Sequence, residues 1–294
     1  MSKIKHKKEI RGGKMEISFL VKIAADEEKA ETYLREKGVL KTFTECPYCG
    51  NKHFGKVRRG TYKCYKCKRE WSPRKGSILE RSRISYGKFL LLLKLFELEI
   101  PALKASKELK LSYTTVHKFY KKLRERIYKE ATKDDMLGGE VEMDESYFGG
   151  KRKGKRGRGA LNKIPVFGIL ERGGKVKVEV VKDVKAETLL KETIKKVKRG
   201  SLIYTDKYRS YDGLVVYGFR HYRIDHSKRF ANGKVYINGI EGFWSYAKER
   251  LMKYHGVSPK TFPLYIKELE FRYNNRGKDL FEELVKLLGV DYIG

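Results

Sequence analysis

The sequence predicts a mixed α/β domain preceded by two smaller modules, one rich in cysteine and one helical. All four cysteines lie between residues 46 and 67, helical periodicity begins at Ser85, and strand-like alternation begins after Gly138-Gly139. With 294 residues the chain is long enough for two or three units of ordinary domain size. We therefore divide it into an N-terminal helical segment, the cysteine-rich module, the helical module and the α/β domain, at residues 1–40, 41–75, 78–132 and 138–294.

Charge is the strongest compositional feature of the chain. Lys and Arg total 68 against 37 acidic residues, which gives a formal net charge of +31. This surplus exceeds what solubility requires and indicates a nucleic-acid partner. A membrane surface is the rival partner, but no apolar run approaches the roughly 20 residues of a spanning helix, and no secretory signal is recognisable. We expect a cytoplasmic protein that binds nucleic acid.

The cysteines form two CxxC pairs, Cys46 with Cys49 and Cys64 with Cys67, which are separated by 14 residues. This spacing is typical of a zinc ribbon, in which each pair lies on a tight turn. Two disulfides or two unrelated thiol pairs are the alternatives, and a cytoplasmic location disfavours disulfides. Because four thiolates close the coordination shell, the predicted Zn²⁺ is structural.

The helical module has the pattern of a helix-turn-helix. Apolar residues recur at helical steps from Phe89 to Phe96, Pro101 opens a second helix, and Ser112 caps a third. The third helix would face the major groove of DNA with its first exposed side chains, which are Tyr113, Thr114, Thr115, His117 and Lys118. A three-helix bundle used for packing or dimerisation is the alternative, and the basic neighbouring module favours DNA binding.

The α/β domain is predicted from a series of strand-like and helical segments. Strands are expected at 140–148, 164–171, 175–184 and 201–208, with a possible short strand at 221–224. Helices are expected at 186–200, 239–254, 262–275 and 279–288. The order is that of a mixed α/β domain of about 150 residues.

Three acids are predicted to form a site, although they are distant in sequence. Asp144 lies within the first strand, Asp206 at the end of the fourth, and Glu241 near the start of a helix. A buried carboxylate is costly unless it is paired, and Mg²⁺ is the obvious partner. Two divalent cations held by carboxylates stabilise an in-line phosphoryl displacement. Six bases that follow the first strand would hold the DNA backbone nearby, unless they form only a solvated turn: Lys151, Arg152, Lys153, Lys155, Arg156 and Arg158.

Four segments of the chain resemble one family: MDESYFGGK, YTDKYRSYDGL, NGIEGFWSYAKERLMKYHGVSP and YIKELEFRYNNR. The family is the DDE transposases of bacterial and archaeal insertion sequences, in the zinc-ribbon branch named after insertion sequence 1595. The resemblance covers nearly the whole chain. It implies a ribonuclease-H-like catalytic domain, a mixed sheet flanked by helices, that binds two Mg²⁺ or Mn²⁺. It also implies cleavage at the element's ends and transfer of the freed 3′ hydroxyl into target DNA, carried out by a homo-oligomer on double-stranded DNA.

The resemblance assigns the catalytic metal ligands to Asp144, Asp206 and a third residue in the NGIEGFW segment. Glu241 and Asn238 compete for the third position, and an anionic oxygen is the better ligand for a hard cation. Between Asp206 and Glu241 lie 34 residues, close to the separation typical of such enzymes. Lys248 follows Glu241 by two helical turns and would hold a DNA phosphate. Tyr236 stands where much of the family has His.

Two other functions remain open. One is a non-catalytic DNA-binding regulator whose C-terminal domain only oligomerises, although such a protein has no need of Asp144 and Asp206 in apolar strands. The other is a ribonuclease-H-like nuclease that cuts DNA without joining it.

Overall fold

The computed structural model describes residues 15–133, 136–149, 163–206, 209–224 and 237–289. Two compact units divide the chain, one formed by Met1–Arg126 with Gly277–Gly294 and the other by Ile127–Arg276. The basic residues predicted to hold DNA after the first strand lie outside the described residues, as does Tyr236: Lys151, Arg152, Lys153, Lys155, Arg156 and Arg158. Within the described ranges, no helix is both long and apolar enough to cross a membrane.

The first unit combines helices with a small antiparallel sheet. Its sheet has the order β1-β2-β3, formed by Phe54–Lys56, Tyr62–Cys64 and Glu70–Trp71. Its helices, numbered in chain order, are α1 (Ile17–Ala24), α2 (Glu27–Glu36), α3 (Tyr86–Glu97), α4 (Ala102–Glu108), the start of α5 (Tyr113–Ala131), and α9 (Leu280–Gly289).

Side-chain caps explain where several of these helices begin. Asp26 accepts hydrogen bonds from the amides of Glu28 and Lys29 at the start of α2. Ser85 caps α3. Ser112 accepts the amide of Thr115 at 3.2 Å and so caps α5 as predicted.

Helix α9 lies in the first unit, whereas the sequence pattern predicts that residues 277–294 belong to the α/β domain. Glu282 of α9 accepts hydrogen bonds from Tyr33 at 3.0 Å and from Lys37 at 2.6 Å. Phe281 and Leu284 are buried in the same unit. Helix α9 is strongly amphipathic, and it packs on α3 of the first unit rather than on its neighbours along the sequence.

The second unit contains a five-stranded mixed sheet with the order β6-β5-β4-β7-β8. Its strands are β4 (Glu140–Phe148), β5 (Ile164–Glu171), β6 (Val176–Val180), β7 (Leu202–Asp206) and β8 (Arg220–Ile224). Strands β4, β5 and β6 pair antiparallel, whereas β4, β7 and β8 pair parallel. The helical elements are α6 (Ala186–Lys196), the 3₁₀ helix Arg209–Tyr217, α7 (Asn238–Met252) and α8 (Phe262–Asn274). This mixed sheet flanked by helices confirms the predicted ribonuclease-H-like fold class, including the short strand expected at 221–224.

Helices cover both faces of this sheet. Met143 of β4 packs in the core that contains Leu189 of α6. On the opposite face, Phe148 of β4 packs in the core that contains Phe243 of α7 and Ile266 of α8. Because side chains alternate along a strand, Asp144 lies on the face covered by α7.

Candidate active site

Asp144 and Asp206 lie at equivalent positions on neighbouring parallel strands. Strands β4 and β7 pair with Glu142 opposite Tyr204, and each aspartate comes two residues later. Side chains alternate between faces, and neighbouring strands lie about 4.8 Å apart. The register therefore brings these two predicted site residues to the same face of the sheet, with Asp206 at the carboxyl end of β7 and Asp144 beside it in the middle of β4.

Glu241 contributes to the same electrostatic environment from α7. Burial, together with the negative charges of Glu145, Asp206 and Glu241, raises the pKa of Asp144 to about 7, against the opposing effect of a hydrogen bond from the Glu145 backbone. The three predicted acids thus act on one another across the sheet face. Glu145, the fourth acid in this group, follows Asp144 in the sequence and is not a predicted ligand.

Trp244 of α7 contacts Asp144 directly. Its indole Nε1 donates a hydrogen bond of 3.1 Å to Oδ2 of Asp144. Gly168 of β5, directly opposite Asp144, leaves room for the ring, because a Cβ there would lie 2.5 Å from the Trp244 ring. No pattern in the sequence assigned a site role to Trp244, although glycine inside a strand is a known sign of close approach.

Glu142 anchors the start of α7. Its side chain is 1% exposed and accepts the amide of Ile240 and the Nε of Arg172, both at 3.0 Å. A Cβ on Gly239 would lie 2.8 Å from the Glu142 carboxylate, so glycine permits this close approach. A carboxylate at a helix N-terminus is also favoured by the helix dipole. Glu142 thereby positions the helix that carries Glu241 and Trp244.

Asn238 and Glu241 occupy different angular positions on α7, and both are exposed. At about 100° per residue, Glu241 lies roughly 60° from Trp244, and Asn238 roughly 120° from it. Lys248, also exposed, lies within about 20° of Glu241 on the same helix face. The helix geometry thus turns Glu241, more than Asn238, toward the side of α7 that contacts Asp144.

The donor set of this site suits hard cations, since it consists of carboxylate oxygens. Burial and like charge both disfavour the ionised form of Asp144. A divalent cation would offset both effects. The three acids are less tightly grouped than the cysteines, which among the described residues form the one cluster of three or more potential metal ligands with all ligand atoms within 4.8 Å.

The cysteine cluster has the dimensions of a tetrahedral thiolate site. The sulfurs of Cys46 and Cys67 lie 3.6 Å apart, and those of Cys49 and Cys64 are separated by the same distance. All four cysteines are free thiols, so no disulfide joins them. Four sulfurs about 2.3 Å from a tetrahedral Zn²⁺ would lie roughly 3.8 Å from one another. The amide of Cys67 donates to the sulfur of Cys64 at 3.4 Å, which favours the thiolate form. The cluster therefore fits zinc.

The predicted DNA-facing residues at the start of α5 form an outward-facing surface. Tyr113, Thr114, His117 and Lys118 are exposed, and Thr115 is partly buried. The opposite side of the helix is buried through Val116, Phe119 and Tyr120. The structure thus brings these five residues together on one surface of the first unit.

Comparison with known proteins identifies the family. Residues 136–274 match the family model described as the ISXO2-like transposase domain. An "Uncharacterized transposase-like protein" of Haemophilus influenzae (strain ATCC 51907 / DSM 11121 / KW20 / Rd) is 50% identical over 101 residues, which are 34% of this chain and 82% of the relative. This chain belongs to the ISXO2-like transposase family. The resemblance noted in its sequence is therefore confirmed.

Solved structures of Mos1 share a weaker similarity with this family member. The Mos1 strand transfer complex has a TM-score of 0.28 and 12% identity, covering 70% of this chain and 75% of Mos1. The Mos1 mariner paired end complex with Mn has a TM-score of 0.28 and 11% identity, covering 68% and 75%. Scores of this size do not establish a shared fold, so the fold assignment rests on the strand order.

Proposed function

We propose that this ISXO2-like family member is a DNA transposase that binds the ends of its element and catalyses strand cleavage and strand transfer into target DNA. The observation that carries the proposal is the shared register of Asp144 and Asp206, which puts two acids side by side on the sheet face covered by α7. The raised pKa of Asp144, about 7, supports it, because burial and the charges of Glu145, Asp206 and Glu241 raise this pKa together.

Asp144, Asp206 and Glu241 would hold two Mg²⁺ or Mn²⁺, with Asn238 as the alternative third ligand. When bound, such ions stabilise the attacking and leaving oxygens of an in-line phosphoryl displacement. Trp244 would fix the orientation of the Asp144 carboxylate, and Glu142 would hold the start of α7 at the sheet. Lys248, on the same helix face as Glu241, would hold a DNA phosphate.

Double-stranded DNA, both the element's ends and the target, is the proposed partner of a homo-oligomer. End binding is assigned to Tyr113, Thr114, Thr115, His117 and Lys118 on α5. Phosphate binding by the basic residues between β4 and β5 stays a prediction. Removing four of them together, Lys151, Arg152, Lys155 and Arg156, should weaken DNA binding and flatten its salt dependence.

Zn²⁺ at Cys46, Cys49, Cys64 and Cys67 is proposed to stabilise the DNA-binding unit rather than to take part in the reaction. Cys64→Ser should lower the zinc content, unfold the ribbon and impair DNA binding, and metal analysis of the purified protein measures the first effect directly. Full DNA-binding activity of the protein without zinc would refute this assignment.

The catalytic proposal is tested by a cleavage and joining assay on DNA that flanks the protein's own gene, with and without Mg²⁺. Mg²⁺ should be omitted rather than chelated, because a chelator would also remove zinc. Asp144→Asn and Asp206→Asn should abolish cleavage while leaving end binding within a few-fold, and the exposed Glu249→Gln on α7 serves as a control. Retained cleavage in both aspartate variants contradicts the proposal. Cleavage without joining by the wild type would identify a nuclease, and binding without cleavage a regulator.

A further inference from the structure

A basic groove lies within the first unit, between the segment 80–84 and helix α5. The segment connects the zinc ribbon to α3. The groove encloses about 570 Å³. We call it the linker–α5 groove and define it by Arg81, Arg83, Thr115, Lys118 and Lys122.

The charges in this groove are mostly positive. Its four cationic residues face one acid, Glu80, whose carboxylate already accepts the backbone amide of Gly76 at 2.8 Å. None of the four cations forms an ion pair with a carboxylate in the part of the chain that the structure describes. Lys122 donates to the carbonyl of Ile78 at 3.2 Å. A concave surface lined by unneutralised cations concentrates positive potential and favours an anionic ligand.

The linker wall of the groove is held in place by hydrogen bonds from the Arg74 side chain to backbone carbonyls. Arg74 donates to the carbonyls of Ser82 at 2.9 Å and Ile84 at 2.7 Å, and so fixes the segment from behind. Arg81 has a left-handed backbone with φ of 59°, which turns the chain at this point. Arg81 and Arg83 remain exposed on this wall. The backbone that carries Arg81 and Arg83 is therefore fixed by these bonds, which lowers the entropic cost of binding a ligand.

The helical wall presents an elongated stripe rather than a point. Thr115, Lys118 and Lys122 lie within about 60° of one another around the helix and span about 10 Å along it. A stripe of this length suits a run of phosphates along one strand better than a single small anion. Thr115 and Lys118 also belong to the predicted DNA-facing surface of α5, so the groove continues that surface.

We propose that the linker–α5 groove holds the phosphodiester backbone of duplex DNA, with Arg81 and Arg83 clamping one strand against α5. This inference rests on the proposed function and adds to it a sequence-independent backbone contact made by residues outside the helix-turn-helix surface. Contacts of this kind fix the register of a protein on DNA while base contacts supply specificity.

The test uses the full-length, zinc-loaded protein and a fluorescein-labelled duplex of random sequence. Arg81→Asn with Arg83→Gln removes two groove charges, and Asn tolerates the left-handed backbone at position 81. Lys22→Gln with Lys88→Gln removes the same charge from exposed helix positions outside the groove. Fluorescence anisotropy over a range of salt concentrations gives the slope of log K against log salt. The groove variant should reduce the magnitude of this slope by about two, because each phosphate contact contributes about 0.9, and the control variant should reduce it by less than half as much.

The outcomes separate the groove from simpler explanations. Arg81→Lys with Arg83→Lys should recover most of the slope, because lysine also neutralises phosphate. Equal slope changes in groove and control variants, or no change in either, would overturn the proposal. The proposal would also be overturned if the groove variant kept the wild-type salt slope with the duplex but was no longer stabilised against heat by inorganic phosphate. That result would indicate a small-anion site. If only the groove proposal is wrong, Mg²⁺-dependent cleavage by the wild type at saturating protein concentration is still observed. If the transposase proposal is wrong, the wild type shows no cleavage, while its salt dependence of duplex binding is unaffected.

Discussion

The indole of Trp244 donates a hydrogen bond of 3.1 Å to the carboxylate of Asp144, and so joins helix α7 to the central strand β4. The indole ring of Trp244 packs over Gly168, where the missing Cβ leaves room for it, and against Phe148, whose ring centroid lies 6.0 Å away. The orientation of the Asp144 side chain therefore depends on how α7 packs on the sheet. Replacing a group that orients a metal ligand in this way typically lowers metal affinity or activity about 10- to 100-fold.

Trp244→Phe should keep an aromatic ring in the core while removing the indole donor and the part of the ring that packs on Gly168. We expect the Mg²⁺ concentration for half-maximal cleavage to rise about 10- to 100-fold, and thermal stability to fall because the smaller ring leaves a gap in the core. Mg²⁺ titration of cleavage and thermal unfolding measure the two effects. Tyr246→Phe, which removes a hydroxyl from the same helix, should leave the Mg²⁺ requirement unchanged. A slower maximal rate at an unchanged Mg²⁺ requirement would mean that Trp244 acts through packing alone.

Asp144→Asn should stabilise the protein at neutral and alkaline pH while abolishing its activity. Burial and neighbouring negative charges raise the pKa of Asp144 from 3.8 to about 7, so the folded state favours the protonated carboxyl. The resulting loss of stability is absent below pH 3.8, develops as the pH rises, and is complete above about pH 7. The amide introduced by the substitution is uncharged, and its oxygen can still accept the hydrogen bond from Trp244. We expect a gain on the order of 1 to 3 kcal/mol at high pH.

Unfolding of both proteins without added Mg²⁺, at about pH 8 and about pH 4, measures this difference in stability. Asp183 is a control for which the opposite effect on stability is expected. Hydrogen bonds from Thr188 and the Lys185 amide lower the pKa of Asp183, so Asp183→Asn should destabilise the protein at the higher pH. An Asp144→Asn variant less stable than the wild type at the higher pH would show that the site does not disfavour the charge.

Glu241 and Asn238 can be distinguished as third ligands by parallel substitutions on α7. Because Glu241 lies nearer in angle to Trp244 and its charge raises the pKa of Asp144, we expect Glu241→Gln to reduce cleavage to background. Asn238→Ala should lower cleavage by less than about tenfold, as expected of a residue that only supports a ligand. Glu249→Gln is the matched control on the same helix. Background activity in Asn238→Ala together with substantial activity in Glu241→Gln would reverse the assignment.

Local patterns in the sequence predict most of the secondary structure and the chemical types of the residues at both proposed metal sites. The CxxC pairs predict a thiolate cluster, and Asp144 inside an apolar strand predicts a cation site, because a buried carboxylate is costly unless it is paired. Each of these predictions depends on spacing along one or two adjacent elements, and such spacing is visible in sequence.

Features that depend on the packing of distant elements could not be predicted in this way. Trp244 is buried in the core, and its contact with Asp144 requires the position of α7 over Gly168. The assignment of α9 to the first unit depends on Tyr33 and Lys37, more than 240 residues earlier in the chain. The linker–α5 groove needs Arg74 to hold the segment that carries Arg81 and Arg83. An amphipathic face or a basic pair reveals that a partner exists without revealing which partner it is.

Helix α8 closes the exposed edge of the sheet with its side chains, and Asn274 is the residue that tests this role. Strand β6 lies at the edge, and Asn274 accepts the amide of Val176 at 2.7 Å and donates to its carbonyl at 2.9 Å. Asn274→Ala would leave both backbone groups without these bonds, so we expect a loss of about 1 to 3 kcal/mol in the free energy of unfolding and more aggregation on heating. The neighbouring Asn275 directly follows α8 and, among the residues that the structure describes, bonds only to Phe271 of that helix, so Asn275→Ala is the control. Urea unfolding and light scattering compare the two variants. Equal losses in both would mean that the edge strand does not depend on Asn274, because the control substitution leaves every bond to β6 in place.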